Sequence, residues 1–268
     1  MWFVVEPMVP FRSVEVTTVR GERKVLLHES DWGIPAEEPV LGPGEVHIWR
    51  IRLNVPQEMA IAAATLLNKA ERAKAGRFRR LADRRRYIAA HAKVRQILGL
   101  YAGCEPEEIG FQFNDFGKPS LSNNGQAREI RFNLAHSGEV GLMCVSRGRD
   151  VGVDVELVRP EFAGLDVAKK FFSAYEVEQL MAQPAPSRTA AFFRCWTFKE
   201  AFIKAKGRGL SIPLDSFDVA LAPRFGSALL SSRDDPGDVH RWHIRELSVQ
   251  EGYAAAVAVE GYPWTLIS

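Results

Sequence analysis

The sequence is poor in the features that mark secreted and membrane proteins. It has 3 cysteines in 268 residues, Cys104, Cys144 and Cys195, and this sparse, odd number fits a reducing compartment better than a disulfide scaffold. The first residues lack a basic segment followed by a long apolar run, so no signal peptide is predicted. No apolar run approaches the ~20 residues that a transmembrane helix needs. We therefore expect a soluble, cytoplasmic protein.

The chain also lacks an excess of charge of either sign. The 35 lysines and arginines face 33 aspartates and glutamates, for a net charge of +2, which argues against a protein whose whole surface binds nucleic acid. Hydrophobic residues make up 46% and charged residues 25% of the chain, as in ordinary globular proteins. The composition therefore excludes disordered and collagen-like chains, and the length fits one large domain or two modest ones.

Hydrophobic periodicity predicts strands and helices in an order that repeats. A strand near 47–51 precedes two helices and further strands, and the second part of the chain again has helices followed by strands. This order predicts an α+β fold with two similar halves. The helices are predicted at about 56–74, 83–101, 166–182 and 188–206, and the later strands at 132–134, 140–145, 151–158, 217–219, 242–244 and 253–259.

Three segments follow from this order. Residues 1–45 form an N-terminal extension in which a β-hairpin is predicted, 46–150 form the first α+β half, and 151–268 form the second. Helix stops are predicted at Gly103 and Gly207, since glycine readily adopts the left-handed conformation that ends a helix.

Positive charge is concentrated between Lys69 and Arg95. Eleven basic residues lie there, opposed only by Glu71 and Asp83. One interpretation is a solvated helix face; another is an anion site, because arginines near a helix start suit a phosphate. A third is nucleic-acid binding, although few aromatic residues are interleaved for stacking on bases.

An acidic pair lies on the predicted strand 151–158. Side chains alternate there, so that valines face one way while Gly152, Asp154 and Glu156 face the other. Carboxylates at that spacing, ~7 Å, repel unless a cation lies between them, and Mg²⁺ accepts such oxygen ligands. The alternative is an edge strand with a wet acidic face, which a DxE pattern alone favours.

A helical pattern and a histidine supply further candidates. Trp196, Glu200 and Lys204 recur every four residues and share roughly one helix face. An ordinary Glu–Lys pair worth ~0.3–0.5 kcal/mol explains this, as does a third metal carboxylate with a phosphate-binding lysine one turn on. His136 follows a predicted strand, where a lone histidine is more often structural.

Together and in this order, these motifs resemble the 4′-phosphopantetheinyl transferase superfamily, specifically its long surfactin-synthetase (Sfp) type. The resemblance extends from about residue 46 to the end of the chain. The motifs that carry it are Phe116-Gly117-Lys118-Pro119, Phe132-Asn133-Leu134-Ala135-His136-Ser137-Gly138, Val151-Gly152-Val153-Asp154-Val155-Glu156, Trp196-Thr197-Phe198-Lys199-Glu200-Ala201-Phe202-Ile203-Lys204, Gly207-Arg208-Gly209-Leu210 and Leu214-Asp215-Ser216-Phe217.

The resemblance implies a site in the cleft between two similar halves. There, the 4′-phosphopantetheine arm of coenzyme A is moved onto a serine of an acyl or peptidyl carrier protein, with release of 3′,5′-ADP. The implied residues are Asp154, Glu156 and Glu200 as Mg²⁺ ligands, Glu200 and Lys204 in catalysis, and Lys74, Arg86, Lys118, Pro119, His136 and Lys204 in coenzyme A binding. The general base stays open between Glu200 and a metal-bound water. A monomer that binds neither nucleic acid nor membrane is expected.

Two features depart from the family pattern. Ala135 stands where the family commonly has serine, so a hydroxyl contact to the ligand is absent, and residues 1–45 have no recognised counterpart. The alternative function is therefore a binding module on the same fold that holds coenzyme A or a carrier protein without turnover. All three carboxylates are retained, which argues against that alternative.

Overall fold

The computed structural model describes residues 18–19, 22–23, 28–30, 39–122, 129–221 and 227–267. Part of the predicted N-terminal hairpin falls within them, because Thr18–Val19 pairs antiparallel with Glu22–Arg23. The rest of that prediction, including Val14, Val16 and 25–27, lies outside the described residues.

The described strands and helices, numbered along the chain, alternate in type as the sequence predicts. The strands are β1 (Thr18–Val19), β2 (Glu22–Arg23), β3 (His28–Ser30), β4 (Glu45–Arg52), β5 (Phe111–Phe113), β6 (Pro119–Leu121), β7 (Ile130–Ser137), β8 (Val140–Arg147), β9 (Val151–Leu157), β10 (Phe217–Val219), β11 (Leu229–Ser232), β12 (Trp242–Glu246), β13 (Tyr253–Glu260) and β14 (Thr265–Ile267). The α-helices are α1 (Gln57–Ala63), α2 (Lys69–Gly76), α3 (Leu81–Ala102), α4 (Leu165–Phe171), α5 (Ala174–Ala182), α6 (Arg188–Lys206) and α7 (Asp238–Arg241).

Two sheets share one topology. In the first, β4 precedes the long helix α3 and the hairpin β7–β8, and β8 lies between β4 and β7. In the second, β9 precedes the long helix α6 and the hairpin β12–β13, and β13 lies between β9 and β12. The predicted α+β class is confirmed, and the two halves repeat the same strand order.

The two predicted helices that precede the long ones are each broken by a capping residue. The prediction at 56–74 becomes α1 and α2, because Oδ1 of Asn68 accepts from the Glu71 amide and the Glu71 carboxylate accepts from the Asn68 amide, both at 2.9 Å. The prediction at 166–182 becomes α4 and α5 through the same reciprocal bonds between Ser173 and Glu176. Such a capping box begins a new helix. By contrast, α3 and α6 end at the predicted glycines, both left-handed.

Each long helix buries an apolar face on its own sheet, and a third cluster joins the sheets. Helix α3 packs Ile97 and Leu98 against the first sheet, and α6 packs Phe198 and Phe202 against the second. The third cluster takes residues from both sheets, namely Val46, Ile48, Leu142, Cys144, Val153, Val155, Val257 and others. The halves are therefore packed together through continuous buried apolar surface.

The strands β7 and β9 meet where the sheets adjoin. Oδ1 of Asn133, on β7, accepts a hydrogen bond of 2.9 Å from the Val153 amide on β9. The strand β14 also connects the two halves, because it pairs parallel with β4 of the first sheet. The acidic strand β9 thus lies at the junction of the halves, with α6 packed on it. In the described part of the chain, no helix is long and apolar enough to cross a membrane.

Candidate active site

Gly152 determines how closely α6 approaches the acidic strand. A Cβ atom at this position would lie 2.3 Å from both the Ala201 carbonyl oxygen and the Ala205 amide nitrogen, far inside van der Waals contact. Only a residue without a side chain lets the helix lie this close to β9. Glu200 and Lys204 flank these contacts along α6, and they are thereby brought opposite the acidic residues that alternate with Gly152.

Asp154 and Lys204 form the central ion pair of this face. The Lys204 Nζ donates to Oδ1 of Asp154 at 2.6 Å, and Asp154 is only 3% exposed. The second oxygen, Oδ2, is buried and has no hydrogen-bond partner among the described residues. Burial raises the pKa of Asp154, and the charge of Lys204 partly offsets that rise. The interpretation of β9 as a wet acidic edge is therefore wrong for Asp154.

Glu156 and Glu200 are half-buried beside this pair. Oε2 of Glu156 accepts a 2.7 Å hydrogen bond from Ser137 Oγ, and burial raises the pKa of Glu156. Burial also raises the pKa of Glu200 to about 6, with Asp154 and Glu156 adding to the rise and Lys204 opposing it. The three carboxylates thus interact electrostatically with one another and with Lys204.

The carboxylate oxygens of Asp154, Glu156 and Glu200 suit a hard divalent cation, although they do not form a complete set of ligands around one position. The described residues contain no group of three or more His, Cys, Asp or Glu side chains gathered to hold a metal ion. Three carboxylates are nevertheless the oxygen ligands that Mg²⁺ prefers, and the buried, unpartnered Oδ2 of Asp154 is an unused donor of that kind. The chemistry of these oxygen donors therefore fits Mg²⁺.

Basic side chains from the first half act on the same region. His136 lies on β7 and is exposed. Neighbouring protein atoms displace part of the solvent around its ring, and this desolvation is the largest cause of its lowered pKa. The positive charges of Lys204, Arg86 and Lys74, together with His91, lower it further. Lys74 lies over the ring of Tyr87 at 5.4 Å, and Arg86 pairs with Asp83 at 3.1 Å. Candidate phosphate-binding residues from both halves therefore share one electrostatic neighbourhood.

Lys118 lies in the turn between β5 and β6, directly before Pro119. The Lys118 Nζ donates to the carbonyl oxygens of Ala205 at 2.7 Å and Val151 at 3.2 Å, and it lies 3.7 Å from Asp150. Pro119 begins β6 opposite Phe113. A surface cavity beside them is lined by Gln112, Asn114, Ser120, Arg131, Asp150 and Lys206, among others.

The basic stretch is only partly a solvated face. Arg95 is fully buried, donating to Glu71 at 2.8 Å and to the Ile109 carbonyl at 2.8 Å. Lys93 is 2% exposed, and burial lowers its pKa to about 8. For these two residues the prediction of a solvated face is wrong, because α3 turns them inward; Lys74 and Arg84 remain exposed.

Comparison with known proteins matches both halves of the chain. The family model described as "4'-phosphopantetheinyl transferase superfamily" matches residues 150–258, and one described as "4'-phosphopantetheinyl transferase, N-terminal" matches 54–147. The 4'-phosphopantetheinyl transferase HetI of Nostoc sp. is 36% identical over 220 residues, covering 82% of this chain and 90% of HetI. The chain belongs to the 4′-phosphopantetheinyl transferase superfamily. The family resemblance drawn from the motifs is thereby confirmed.

Other members of the superfamily show similar coverage. The 4'-phosphopantetheinyl transferase Sfp of Bacillus subtilis is 31% identical over 193 residues, covering 72% of this chain and 82% of Sfp. The putative 4'-phosphopantetheinyl transferase slr0495 of Synechocystis sp. is 34% identical over 179 residues, 67% of this chain and 71% of that protein. These relatives support the enzymatic interpretation over the non-catalytic binding module.

The sequence did not predict the contacts of two polar residues, Ser137 and Lys199. Ser137 binds Glu156, and it also accepts from the Leu157 amide at 3.1 Å; its place directly after His136 was the available signal. Lys199 of the Trp–Lys–Glu helix is fully buried and contacts Glu176 at 2.7 Å and the carbonyls of Leu214 and Phe217. Lys199 therefore supports the core of the second half.

Proposed function

We propose that this protein transfers the 4′-phosphopantetheine arm of coenzyme A to a serine of an acyl or peptidyl carrier protein, releasing 3′,5′-ADP. The observation that carries the proposal is the packing of α6 on β9, which pairs Lys204 with Asp154 and leaves both electrostatically coupled to Glu200 and Glu156, while positive charges of the first half act on the same region. A site that contains both positive and negative side chains suits a substrate with a pyrophosphate and a ribose phosphate, since the cations bind the phosphates while the carboxylates hold a metal.

In the proposed reaction, the serine oxygen attacks the phosphorus that bears the pantetheine arm, and the bond from that phosphorus to the bridging oxygen of 3′,5′-ADP breaks. The serine proton passes to a base at the site, and 3′,5′-ADP leaves with the electrons of the broken bond. Lys204 pairs with Asp154 at 2.6 Å, and its charge stabilises the negative charge that develops on the leaving group. Lys74, Arg86 and His136 bind and orient the phosphates from the first half.

The carboxylates have two proposed roles. Asp154, Glu156 and Glu200 hold Mg²⁺, which supplies charge neutralisation at the pyrophosphate when bound. Glu200 is also a candidate base for the serine proton, because burial raises its pKa in the protein without metal to about 6, which makes it a better proton acceptor than an exposed glutamate. A metal-bound water is the other candidate.

We further propose that residues 46–150 and 151–268 are the two halves of the fold and that residues 1–45 are an extension. The strand β14 of the second half pairs with β4 in the first sheet. Lys118 and Pro119 are retained as coenzyme A contacts through their surface beside the cavity. A monomer is proposed, because both halves of the site come from one chain.

The test is incubation with coenzyme A, Mg²⁺ and several apo carriers, both acyl and peptidyl, followed by intact-protein mass spectrometry. One phosphopantetheine group should be added per carrier, and chelation of Mg²⁺ should stop the addition. If coenzyme A binds and no carrier gains mass, the non-catalytic binding module replaces this proposal.

A further inference from the structure

The loop between β5 and β6 closes on the end of α6 in the other half. The Asn114 Nδ2 donates to the Gly207 carbonyl oxygen at 2.7 Å, across 93 positions of the chain. The Lys118 Nζ donates to the Ala205 carbonyl oxygen, also at 2.7 Å. Gly207 is the left-handed residue that ends α6, with φ of 68°.

These bonds cap α6 from outside. The last carbonyl groups of a helix have no partner within it. At this end, the Gly207 amide satisfies the Lys204 carbonyl at 3.1 Å, while the carbonyls of Ala205 and Gly207 accept from the loop of the first half. The half that carries His136 and Arg86 therefore holds the helix that carries Glu200 and Lys204.

The Asn114 amide has a single orientation that satisfies its partners. Its Oδ1 accepts from the Phe116 amide at 3.0 Å and from the Lys118 amide at 2.8 Å, so the oxygen is committed to the turn. Its nitrogen is thereby directed to Gly207. The fit is tight, because a Cβ atom on Gly207 would lie 2.9 Å from Lys118 Cδ and 3.2 Å from Asn114 Nδ2.

We propose that Asn114 is a positioning residue for the transfer reaction. It fixes the end of α6 and thereby sets Glu200 and Lys204 relative to the phosphate-binding residues of the first half. Lys118 is the second tether of the same end. The inference rests on the proposed function, since the geometry that Asn114 maintains is that of a substrate spanning both halves.

Asn114→Asp tests the tether with little change of shape. The aspartate keeps an oxygen for the two turn amides and replaces the donor toward Gly207 with an acceptor. The double variant Asn114→Asp with Asp115→Asn keeps the net charge unchanged, and Asp115→Asn alone is the control, because Asp115 is exposed and takes no part in these bonds. Lys118→Met removes the second tether.

We expect the double variant to lose about tenfold in kcat/KM for coenzyme A, the size expected for one lost hydrogen bond. Amide hydrogen exchange should quicken at Lys204–Gly207, while the Mg²⁺ concentration that gives half-maximal activity stays unchanged, because β9 and α6 belong to one half. Lys118→Met should quicken exchange at the same amides, since it removes the bond to the Ala205 carbonyl, and Asp115→Asn should match the wild type.

A lower melting temperature with unchanged kcat/KM at 25 °C would overturn the proposal, since Asn114 would then serve stability alone. Unchanged exchange at the end of α6 in the double variant would overturn it as well. If the wild type itself transfers nothing, the proposed function fails; the exchange comparison then still decides, independently, whether Asn114 holds the helix.

Discussion

At the scale of single residues, the ion pair between Lys204 and Asp154 is the feature on which the site depends. The aspartate is buried, one oxygen accepts from the lysine at 2.6 Å, and the other has no partner in the described part of the chain. A buried charge is costly without a counter-charge. The ammonium group therefore offsets part of the rise in pKa that burial causes at this carboxyl group.

Lys204→Met should lower transfer by at least ~100-fold, as expected when a cation that stabilises transition-state charge is lost. It should also destabilise the fold, because the buried Asp154 loses the cation that pairs with it. Added Mg²⁺ should then raise the melting temperature of the variant more than that of the wild type, since the metal replaces the missing charge. Thermal unfolding with and without Mg²⁺ measures this.

The matched control is Lys206→Met, which breaks another 2.6 Å ion pair, to Asp238, in the same half. That variant should be destabilised with no added rescue by Mg²⁺. Equal rescue of both variants would show that Mg²⁺ acts on the protein generally and would remove Asp154 from the metal site.

At the scale of elements, β9 and α6 were predictable because local signals agreed. Strict alternation defined β9, and helical periodicity ending at Gly207 defined α6. The breaks at Asn68 and Ser173 were missed although both carry a glutamate three positions on, because apolar periodicity continues through them. The burial of Arg95 could not be predicted, since it depends on the 106–109 turn packing over α3.

Gly152→Ala should destabilise the protein by several kcal/mol, because its Cβ would collide with the backbone of α6 at 2.3 Å, and overpacking typically costs ~1–3 kcal/mol or more. Transfer should fall together with stability as Glu200 and Lys204 move away from β9. Urea unfolding and the carrier assay measure both effects.

Gly76→Ala is the control, since a Cβ at the end of α2 meets nothing within 4 Å. It should be neutral or stabilising by up to ~1 kcal/mol, because alanine restricts the unfolded chain. If Gly152→Ala were equally harmless, the close packing of α6 on β9 would not be what positions the site.

The contact between α2 and α3 should make folding acid-sensitive. Burial alone would raise the pKa of Glu71, but hydrogen bonds from His91, the Asn68 amide and Arg95 outweigh it and hold the pKa at about 2. Since the folded value lies below the unfolded one of about 4.5, this stabilisation is complete above pH 4.5 and is lost as the pH falls toward 2.

Urea unfolding between pH 6 and pH 3 tests this in the wild type and in Glu71→Gln. The wild type should lose stability steeply below pH 4.5, and the variant, already destabilised by an unpaired Arg95, should lose less over the same interval. Parallel curves would mean that other carboxylates account for the acid sensitivity.

At the scale of the whole molecule, the proposed site draws its residues from both halves, which pack together through one buried apolar cluster. The repeated strand order could be predicted from the sequence, whereas the pairing of β14 with β4 and the bond from Asn133 to Val153 join residues too distant in sequence for any local pattern. A ligand that contacts both halves should therefore stabilise the whole fold.

Coenzyme A should raise the melting temperature, because binding to the folded protein adds RT ln(1 + [L]/Kd) to its stability, about 2.7 kcal/mol at a concentration 100 times the Kd. Arg86→Met should reduce that rise, because Arg86 is proposed to bind a phosphate. Arg84→Met removes an exposed arginine two positions earlier on α3 and should leave the rise intact. If both variants lost the same share of the rise in melting temperature, the basic stretch would attract anions in general and Arg86 would have no specific role in binding a phosphate.

Phosphopantetheine transfer is proposed to depend on the carboxylates of β9 and α6, and Glu200→Gln removes one of these charges with little change of shape. The wild type and the exposed-site control Glu251→Gln should each add one phosphopantetheine group per apo carrier and release one 3′,5′-ADP. Glu200→Gln should remain folded, with an unchanged circular dichroism spectrum, and add none. Transfer by Glu200→Gln at the wild-type rate would contradict the account.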